Sequence, residues 1–241
     1  MTPRQSKRQA TRPRVICHMA ASVDGRIVAN GWPDAAAVRR EYELIHAGYD
    51  ADGWICGRVT MAPFAKSMRS EKEVRRKYTG RKSRDDFKAP GEYESFAFAI
   101  DPSGRLAWQS NDIDGDHVVA ILSGRVSNDY LAFLRERGVS YILTGTNDVD
   151  LSLALKKIRE QFGVRALMLE GGGRINGGML RDGLVDEISL LLVPVADGRI
   201  GTPALFDIDD EDITPRQLIL EAVERRPDGI LWFRYRVDAK W

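Results

Sequence analysis

The sequence predicts an α/β fold: a mixed, mostly parallel sheet flanked by helices, with a C-terminal antiparallel hairpin. Short apolar runs alternate with helical patterns along most of the chain, which is typical of parallel βαβ units. The final stretch, RQLILEAVERRPDGILWFRYRV, has two alternating runs around Pro227-Asp228-Gly229, and this pattern predicts the hairpin. Three consecutive glycines, Gly171 to Gly173, separate an apolar run from a helical pattern and mark a place that needs bare backbone.

The alternation begins near the N-terminus and resumes after an interruption. Its predicted strands in the first part of the chain are RVICHMAAS (14–22), DGWICG (52–57), HVVAILS (117–123) and VSYILTG (139–145). The predicted helices between them are DAAAVRREYELIHAG (34–48) and NDYLAFLRERG (128–138), and a further segment opens with RVTMAPFAKS (58–67).

The second part of the chain continues the same pattern. In the helix DLSLALKKIREQFG, Leu151, Leu155, Ile158 and Phe162 form one apolar face that is expected to lie on the sheet. VRALMLE (164–170) predicts a buried strand, RINGGMLRDG (174–183) a short helix ended by Gly183, and LVDEISLLLVPV (184–195) a long strand.

The 241 residues are predicted to form one domain over residues 14–241, preceded by a disordered basic arm at residues 1–13. There is no internal repeat and no second hydrophobic pattern after a linker. Residues 67–93 form a polar, charged and weakly periodic excursion, and both a mobile lid and an inert loop fit this pattern.

Charge and composition exclude several classes of partner. Lys and Arg total 36 against 35 Asp and Glu, so the chain gives no reason to expect nucleic acid or an anionic membrane. The basic arm lacks aromatic residues for base stacking, which favours a solvated tail. We expect a cytoplasmic protein, because there is no membrane-length apolar stretch and no signal-peptide core, and because Cys17 and Cys56 lie in apolar runs. No spacing predicts a metal site.

The glycine run follows a strand that ends at Glu170 and precedes a helix start. This order aims free backbone N–H groups and the positive end of a helix dipole at an anion, so it predicts a phosphate cradle. A Rossmann fingerprint would need a glycine at Asn176 and an acid about twenty residues later at the end of a strand, whereas Asp186 and Glu187 begin theirs. A tight strand-to-helix turn is the structural alternative.

Two stretches, HMAASVDGRIVANGWP (18–33) and LEGGGRINGGMLRDGLVDEISLLLVPVADGRIGTPALF (169–206), resemble the reductase domain of the bacterial bifunctional riboflavin-biosynthesis deaminase/reductase, a family with the dihydrofolate-reductase-like fold. The resemblance covers residues 14–237. It implies that a homodimer reduces the ribose of a phosphoribosylaminopyrimidine to a ribityl chain with NADPH. The deaminase signature H-x-E followed by P-C-x-x-C does not occur, which predicts a stand-alone reductase.

The resemblance and the glycine run together imply a set of cofactor contacts. GRVT (57–60) is similar to the turn with which dihydrofolate reductases hold NADPH. The implied NADPH contacts are Ala20, Trp32, Arg58, Thr60, Ser123, Arg125, Gly172, Gly173, Arg174, Ile175, Asn176, Gly177 and Gly178. Arg58 and Arg125 each lie just beyond a strand and are natural partners for the 2′-phosphate that distinguishes NADPH from NADH.

The substrate contacts implied by the resemblance are Asn30, His46, Lys66, Arg69 and Glu170. Family members carry a substrate-contacting arginine where this chain has His46. They also read Ala-Asp-Asp-Pro where this chain has MAPFAKSMRS (61–70), so Lys66 or Arg69 is expected to take over the phosphate contact.

Asp24 and Glu170 are the carboxylates expected near the reacting carbon. A carboxylate with a raised pKa, or a water that it orients, would supply the proton that accompanies hydride transfer. A turn in which Asp24 caps local N–H groups is the structural alternative for SVDGR. His18 and His117 are interpreted as packed or surface residues.

Two other functions fit parts of the sequence. A dihydrofolate or pterin reductase would protonate its substrate from a carboxylate on the first helix, for which Glu41 or Glu43 is available. A non-catalytic nucleotide-binding module would use the fold with its basic arm and excursion. The expected partners are a small-molecule substrate and a second copy of the chain, because Ile230, Trp232, Phe233 and Tyr235 offer apolar surface on an edge hairpin.

Overall fold

The computed structural model describes residues 11–65, 83–209 and 214–238. Its internal contacts divide the chain into two compact units, which we name for their place in the sequence. The middle unit contains Asp52–Leu167, and the terminal unit contains Arg14–Ala51 and Met168–Trp241. The single domain over residues 14–241 stays a prediction.

Strands and helices are numbered in chain order over the described residues. The strands are β1 (Arg14–Ala21), β2 (Gly53–Gly57), β3 (Phe96–Ile100), β4 (Asp112–Ile113), β5 (Asp116–Leu122), β6 (Ser140–Leu143), β7 (Ala166–Leu169), β8 (Glu187–Leu192), β9 (Leu218–Arg225) and β10 (Leu231–Val237). The helices are α1 (Ala35–Ala47), α2 (Arg58–Met61), α3 (Asn128–Glu136), α4 (Leu151–Phe162) and α5 (Gly173–Arg181).

The terminal unit combines a parallel strand pair with the predicted hairpin. β1 pairs in parallel with β8, and β10 pairs antiparallel with both β8 and β9. The turn between β9 and β10 is a short 3-10 helix, Pro227–Gly229, in which Asp228 and Gly229 have φ angles of 57° and 76°. These left-handed conformations suit the Asp-Gly sequence, so the predicted hairpin is confirmed.

The middle unit is a mostly parallel sheet. β2 pairs with β3, β3 with β5, and β5 with β6, all in parallel, while the short β4 pairs antiparallel with β5. The predicted α/β class, with a mixed and mostly parallel sheet and a C-terminal antiparallel hairpin, is therefore confirmed.

Helix α4 illustrates how the sequence forms these elements. Asp150 precedes the helix, and its side chain accepts a hydrogen bond from the N–H of Leu153. Gly163 ends the helix with a φ of 76°, a left-handed cap that glycine adopts readily. Leu155, Ile158 and Phe162 are buried as the periodicity predicts, and Leu151 is half-buried at the helix start.

Four elements are missing from the sequence-based expectation or are shorter than it. β3 and β4 are not predicted by the sequence patterns, because FAFAI follows the polar excursion directly and β4 has two residues. β8 is shorter than LVDEISLLLVPV, since Pro194 has no N–H to continue the ladder. α2 ends at Met61, two residues before Pro63, whose ring cannot continue a helix.

The part of the excursion that the structure describes, residues 83–93, is bonded to the rest of the middle unit. Phe87 exchanges backbone hydrogen bonds with Tyr141, and Asp86 Oδ2 lies 2.8 Å from Lys157 Nζ. Residues 67–82 of the predicted lid or loop lie outside the described residues. Within the described part of the chain, no helix has the length and apolar character needed to span a membrane.

Candidate active site

The structure brings Glu170 and His46 together within the terminal unit. Glu170 directly follows β7, and His46 lies in the last turn of α1. His46 Nε2 is 3.7 Å from Glu170 Oε1, and the two side chains are 36% and 17% exposed. Both residues are predicted substrate contacts, so the structure brings two members of that set close together, His46 partly exposed and Glu170 more enclosed.

A buried histidine lies beside this pair. His18, on β1, has no exposed surface, and its ring centroid is 4.1 Å from that of Tyr42 and 6.3 Å from that of His46. Burial lowers the pKa of His18 to about 4, so the ring is neutral at physiological pH. The interpretation of His18 as a packed residue is correct as far as burial goes, but sequence alone gives no sign of its neighbours.

The first two glycines of the run have backbone conformations that other residues rarely adopt. Gly171 has a φ of 125°, and Gly172 has a φ of 38° with a ψ of 145°. Helix α5 starts at the next residue, and the carbonyl of Gly172 accepts hydrogen bonds from the N–H groups of Ile175 and Asn176. A turn made of bare backbone thus leads from Glu170 into the N-terminus of a helix.

Gly173 and Gly177 are bare for a different reason. A Cβ atom on Gly173 would clash with the carbonyl oxygen of Ala204, and one on Gly177 would lie 2.5 Å from that of Asp207. Asp207 also donates its N–H to the carbonyl of Gly173 at 2.9 Å. The segment 204–208 therefore packs directly on α5, and this packing accounts for both glycines without a cofactor.

The other predicted cofactor contacts in this segment, Arg174, Ile175, Asn176 and Gly178, differ in their exposure. The side chain of Asn176 is buried and donates to the carbonyl of Leu205 at 3.0 Å. Arg174 is exposed, and Ile175 and Gly178 are half-buried. Among these residues, Arg174 is the one with an exposed side chain.

Asp24 is held by hydrogen bonds from Ser22 in its own turn and from the distant segment at Asp197 and Gly198. Its Oδ1 accepts hydrogen bonds from Ser22 Oγ at 2.7 Å and from the N–H of Asp197 at 2.9 Å, and its Oδ2 accepts from the N–H of Gly198 at 2.9 Å. These donors, with the Asp197 N–H first, lower the pKa of Asp24 to about 2. The expectation of a raised pKa is wrong for this residue, because N–H and O–H donors stabilise its charged form.

The cofactor candidates of the terminal unit have contrasting environments. Trp32 is buried in an apolar cluster with Val38, Ile45 and Leu191, and its Nε1 donates to Asp197 Oδ2 at 2.8 Å. Ala20 and Asn30 instead line a surface pocket of about 440 Å³ together with Tyr42. A predicted cofactor contact and a predicted substrate contact thus share one pocket.

The cofactor candidates of the middle unit lie at the carboxyl ends of parallel strands. Arg58 follows β2, and its Nη1 lies 3.4 Å from Ser103 Oγ and 3.9 Å from Oδ1 of the buried Asp101, both of which follow β3. Burial raises the pKa of Asp101, while Arg58 is one of the groups that lower it. Asp101 and Ser103 were not among the predicted site residues; an acid directly after FAFAI was the available signal.

The remaining candidates of this unit have simpler environments. Ser123, after β5, is buried and donates its hydroxyl to the carbonyl of Pro102 at 2.7 Å, so that hydroxyl supports the loop. Thr60 and Arg125 are exposed. Lys66 and Arg69 lie outside the described residues.

The carboxylates considered for a dihydrofolate reductase, Glu41 and Glu43, each pair with an arginine. Glu41 Oε2 accepts from Arg226 Nε at 2.9 Å. Glu43 pairs with Arg39 at 2.6 Å on the exposed face of α1. Both carboxylates are thus paired with arginines of the terminal unit. Among the described residues, no group of three or more His, Cys, Asp or Glu side chains could hold a metal ion.

Two curated relatives match part of the chain. A 2,5-diamino-6-ribosylamino-4(3H)-pyrimidinone 5′-phosphate reductase of Methanothermobacter thermautotrophicus is 40% identical over 83 residues, which are 34% of this chain and 37% of the relative. The enzyme of the same name from Aquifex aeolicus is 35% identical over 81 residues, 34% of this chain and 36% of the relative. The match thus spans little more than a third of these relatives.

Solved structures share the fold over nearly the whole chain. A pyrimidine reductase-like protein of Corynebacterium diphtheriae aligns with a TM-score of 0.69 at 18% identity, covering 96% of this chain and 94% of that one. RibD of Acinetobacter baumannii aligns with a TM-score of 0.64 at 19% identity, covering 95% and 58%. The sequence also matches the RibD C-terminal domain over residues 13–232, so the chain belongs to the RibD C-terminal domain family.

Proposed function

We propose that this protein is an NADPH-dependent reductase that converts the ribosyl group of a phosphoribosylaminopyrimidine into a ribityl chain. Membership of the RibD C-terminal domain family and the names of the two curated reductases support this reaction. The observation that carries the proposal is the His46–Glu170 pair, because it sets a partly exposed imidazole, a side chain able to donate a proton, beside a carboxylate.

The backbone at the start of α5 fits a phosphate-bearing cofactor. Gly171 and Gly172 form a turn without side chains, directly before a helix whose N-terminal end favours an anion. In the middle unit, Arg58 and Ser103 present a guanidinium and a hydroxyl 3.4 Å apart, a combination that suits a phosphate. Within the terminal unit we assign a phosphate contact to Gly171 and Gly172, and within the middle unit we assign one to Arg58, each on its own local geometry.

When bound, NADPH supplies the hydride of the reaction. His46, protonated at Nε2, donates a proton to the ribose ring oxygen as the ring opens, and the anomeric carbon accepts the hydride. Glu170, with Oε1 3.7 Å from Nε2, stabilises the imidazolium before transfer and accepts hydrogen bonds from pyrimidine amino groups. One hydride and one proton are added, which balances the conversion of ribosyl into ribityl.

NADPH oxidation, followed by absorbance, tests the proposal with a ribosylaminopyrimidine phosphate, with dihydrofolate and without substrate. We expect turnover with the pyrimidine alone. His46→Gln should lower this turnover about 10²-fold, as expected for the loss of a general acid. Glu43→Gln is the matched control, because Glu43 lies on the same helix in an exposed pair with Arg39.

Other outcomes would support the competing functions. Faster oxidation of NADPH with dihydrofolate would favour a pterin-type reductase. Absence of turnover, together with salt-dependent binding to DNA, would favour the non-catalytic module.

A homodimer is proposed from the surface of the C-terminal hairpin. Trp232, Phe233 and Tyr235 are half-buried, while Leu220 and Val223 on the neighbouring strand are 54% and 51% exposed. Ile230 does not contribute as predicted, because it is buried in the apolar cluster with Trp32. Light scattering at micromolar concentration should give twice the chain mass, and a monomeric mass would contradict the proposal.

A cytoplasmic location is inferred from the chemistry of the chain. Cys17 and Cys56 are both buried free thiols, as in proteins of reducing compartments. Burial, with a contribution from Glu170, raises the pKa of Cys17, so this thiol stays protonated and inert. Cell fractionation that finds the protein outside the cytoplasm would contradict the inference.

A further inference from the structure

His18 connects strand β1 to both of its neighbours in the terminal unit. Its Nδ1 lies 3.0 Å from Ser189 Oγ on β8, and its Nε2 lies 3.1 Å from the backbone carbonyl oxygen of Tyr42 on α1. Tyr42 returns a hydrogen bond from its hydroxyl to the carbonyl of His18 at 3.0 Å. The buried imidazole thus joins β8, β1 and α1 by directional bonds.

The partners of the ring define its tautomer. A backbone carbonyl can only accept, so the proton that meets Tyr42 must be on Nε2 of His18. Ser189 Oγ accepts a hydrogen bond from Trp232 Nε1 at 2.8 Å and lies 3.0 Å from Nδ1, so its hydroxyl can act as the donor to Nδ1. The chain of donors Trp232–Ser189–His18–Tyr42 is therefore consistent with one arrangement, the neutral Nε2–H form, which the low pKa of His18 supports.

The bond to Tyr42 acts one helical turn from His46. Residues four apart lie on the same face of a helix, and the carbonyl of residue 42 is also the helical acceptor for the N–H of residue 46. The rings of His18 and His46 lie nearly parallel, with an interplanar angle of 22° and a centroid separation of 6.3 Å. A shift of α1 at Tyr42 would therefore be transmitted directly to the imidazole that faces Glu170.

We propose that His18 is a positioning residue that fixes helix α1 so that His46 stands against Glu170. Its kinetic consequence rests on the proposed reductase function, whereas its structural consequence does not. The role requires a donor at the Nε2 position, toward Tyr42, more than it requires an imidazole. A residue that only filled the core would need the size of the ring and no donor, so the need for a donor distinguishes a positioning role from a packing role.

Two substitutions test the requirement. His18→Phe keeps a ring of similar size and removes both hydrogen bonds, whereas His18→Gln restores an N–H donor at the position of Nε2. We expect His18→Phe to lower kcat about 10²-fold with little change in KM, as for a misplaced catalytic group. His18→Gln should recover most of that loss.

A matched control comes from the other buried histidine of the described residues with a serine partner. His117 Nε2 lies 2.7 Å from Ser140 Oγ in the middle unit, and burial lowers its pKa to about 4 as well. His117→Phe should lower the unfolding temperature and leave kcat unchanged. Equal kcat losses in the two phenylalanine variants would overturn the positioning role, because they would indicate a general effect of packing.

Nitrogen-15 NMR of histidine-labelled protein decides the structural part without substrate. We expect His18 as the Nε2–H tautomer at neutral pH, and a displaced His46 ring signal in His18→Phe that returns in His18→Gln. An Nδ1–H or doubly protonated His18, or an unchanged His46 signal in His18→Phe, would overturn the proposal. If the wild-type protein shows this pattern but does not reduce the pyrimidine, the proposed function fails and the positioning role stands.

Discussion

The turn around Asp24 and the site around Glu170 use the same chemical group for different purposes. Asp24 is exposed, yet three donors saturate its carboxylate and hold a loop together. Glu170 is more enclosed, and its near neighbour is the side chain of His46. The two carboxylates thus differ in exposure and in the kind of partner that they contact.

The difference has a physical basis. Backbone N–H donors are fixed in the loop, and they favour the carboxylate form so strongly that Asp24 has a pKa of about 2 and is a poor proton donor. The neighbour of Glu170 is a side chain rather than a set of fixed N–H groups: His46 Nε2 lies 3.7 Å from Glu170 Oε1. The proposed function therefore places the chemistry at Glu170 and His46, while the bonds of Asp24 are those of a structural turn.

The largest expected effects come from replacing each carboxylate, Glu170 and Asp24, by the uncharged amide, and these variants test the contrast directly. Glu170→Gln should lower kcat/KM about 10³-fold with little change in unfolding temperature, because the charge acts on His46 and the substrate. Asp24→Asn should lower the unfolding temperature and leave kcat/KM nearly unchanged, because its amide nitrogen would face the N–H donors that the carboxylate accepts from. Steady-state kinetics and thermal unfolding on the same samples measure both. If the Asp24→Asn protein is stable but has lost turnover, Asp24 acts in catalysis and the contrast with Glu170 is wrong.

The glycines of the run offer the second contrast. Gly172→Val should weaken NADPH binding by about two orders of magnitude through lost charge-assisted hydrogen bonds. It should also lower stability, because Gly172 has a φ of 38° that a β-branched residue resists.

Gly177→Ala is the matched variant on the packing side of the same helix. Its added Cβ would press on the Asp207 carbonyl, so we expect a loss of about 1–3 kcal/mol in stability with normal NADPH affinity. Calorimetric titration below both unfolding midpoints measures this. Equal affinities in the two variants would mean that the whole run serves packing.

The sequence predicts the fold well and the site only in part, for reasons that these residues make clear. Periodicity and the Pro-Asp-Gly turn are local signals, so the fold class and the hairpin follow from them. The contact of the segment 204–208 with α5 joins residues about thirty positions apart, and no local pattern encodes it.

The hydrogen-bond partners of individual side chains are also not predictable from the sequence. SVDGR is compatible with both a catalytic Asp24 and a capped turn, and the choice depends on the N–H groups of Asp197 and Gly198, far along the chain. The bonds of His18 to Ser189 and Tyr42 are of the same kind. Signals for such contacts would have to come from long-range pairing rather than from spacing.

A smaller effect on cofactor preference is expected at the two arginines of the middle unit. They contrast a side chain with neighbouring polar groups, Arg58, with an exposed one, Arg125. Arg58 is held near Asp101 and Ser103, whereas Arg125 is exposed. NADPH should bind at least about tenfold more tightly than NADH, or about 1.4 kcal/mol. Arg58→Gln should remove most of this preference and Arg125→Gln less, as measured by calorimetry with both cofactors. Equal binding of the two cofactors by the wild-type protein would remove the phosphate assignment from Arg58.

The smallest expected effect concerns the pH dependence of the Asp24 loop. The folded pKa of Asp24, about 2, lies below its ordinary value of 3.8. A depressed carboxyl pKa gives stability that is fully present above the unfolded value and is lost as pH falls toward the folded one. The difference in unfolding temperature between the wild type and Asp24→Asn should therefore be constant from pH 7 to about 5 and narrow as pH falls below about 4. Thermal unfolding at half-unit pH steps measures it, with Glu170→Gln as the comparison variant. A difference that stays constant down to pH 3 would show that the carboxylate charge of Asp24 does not hold the loop, and the contrast with Glu170 would lose its electrostatic basis.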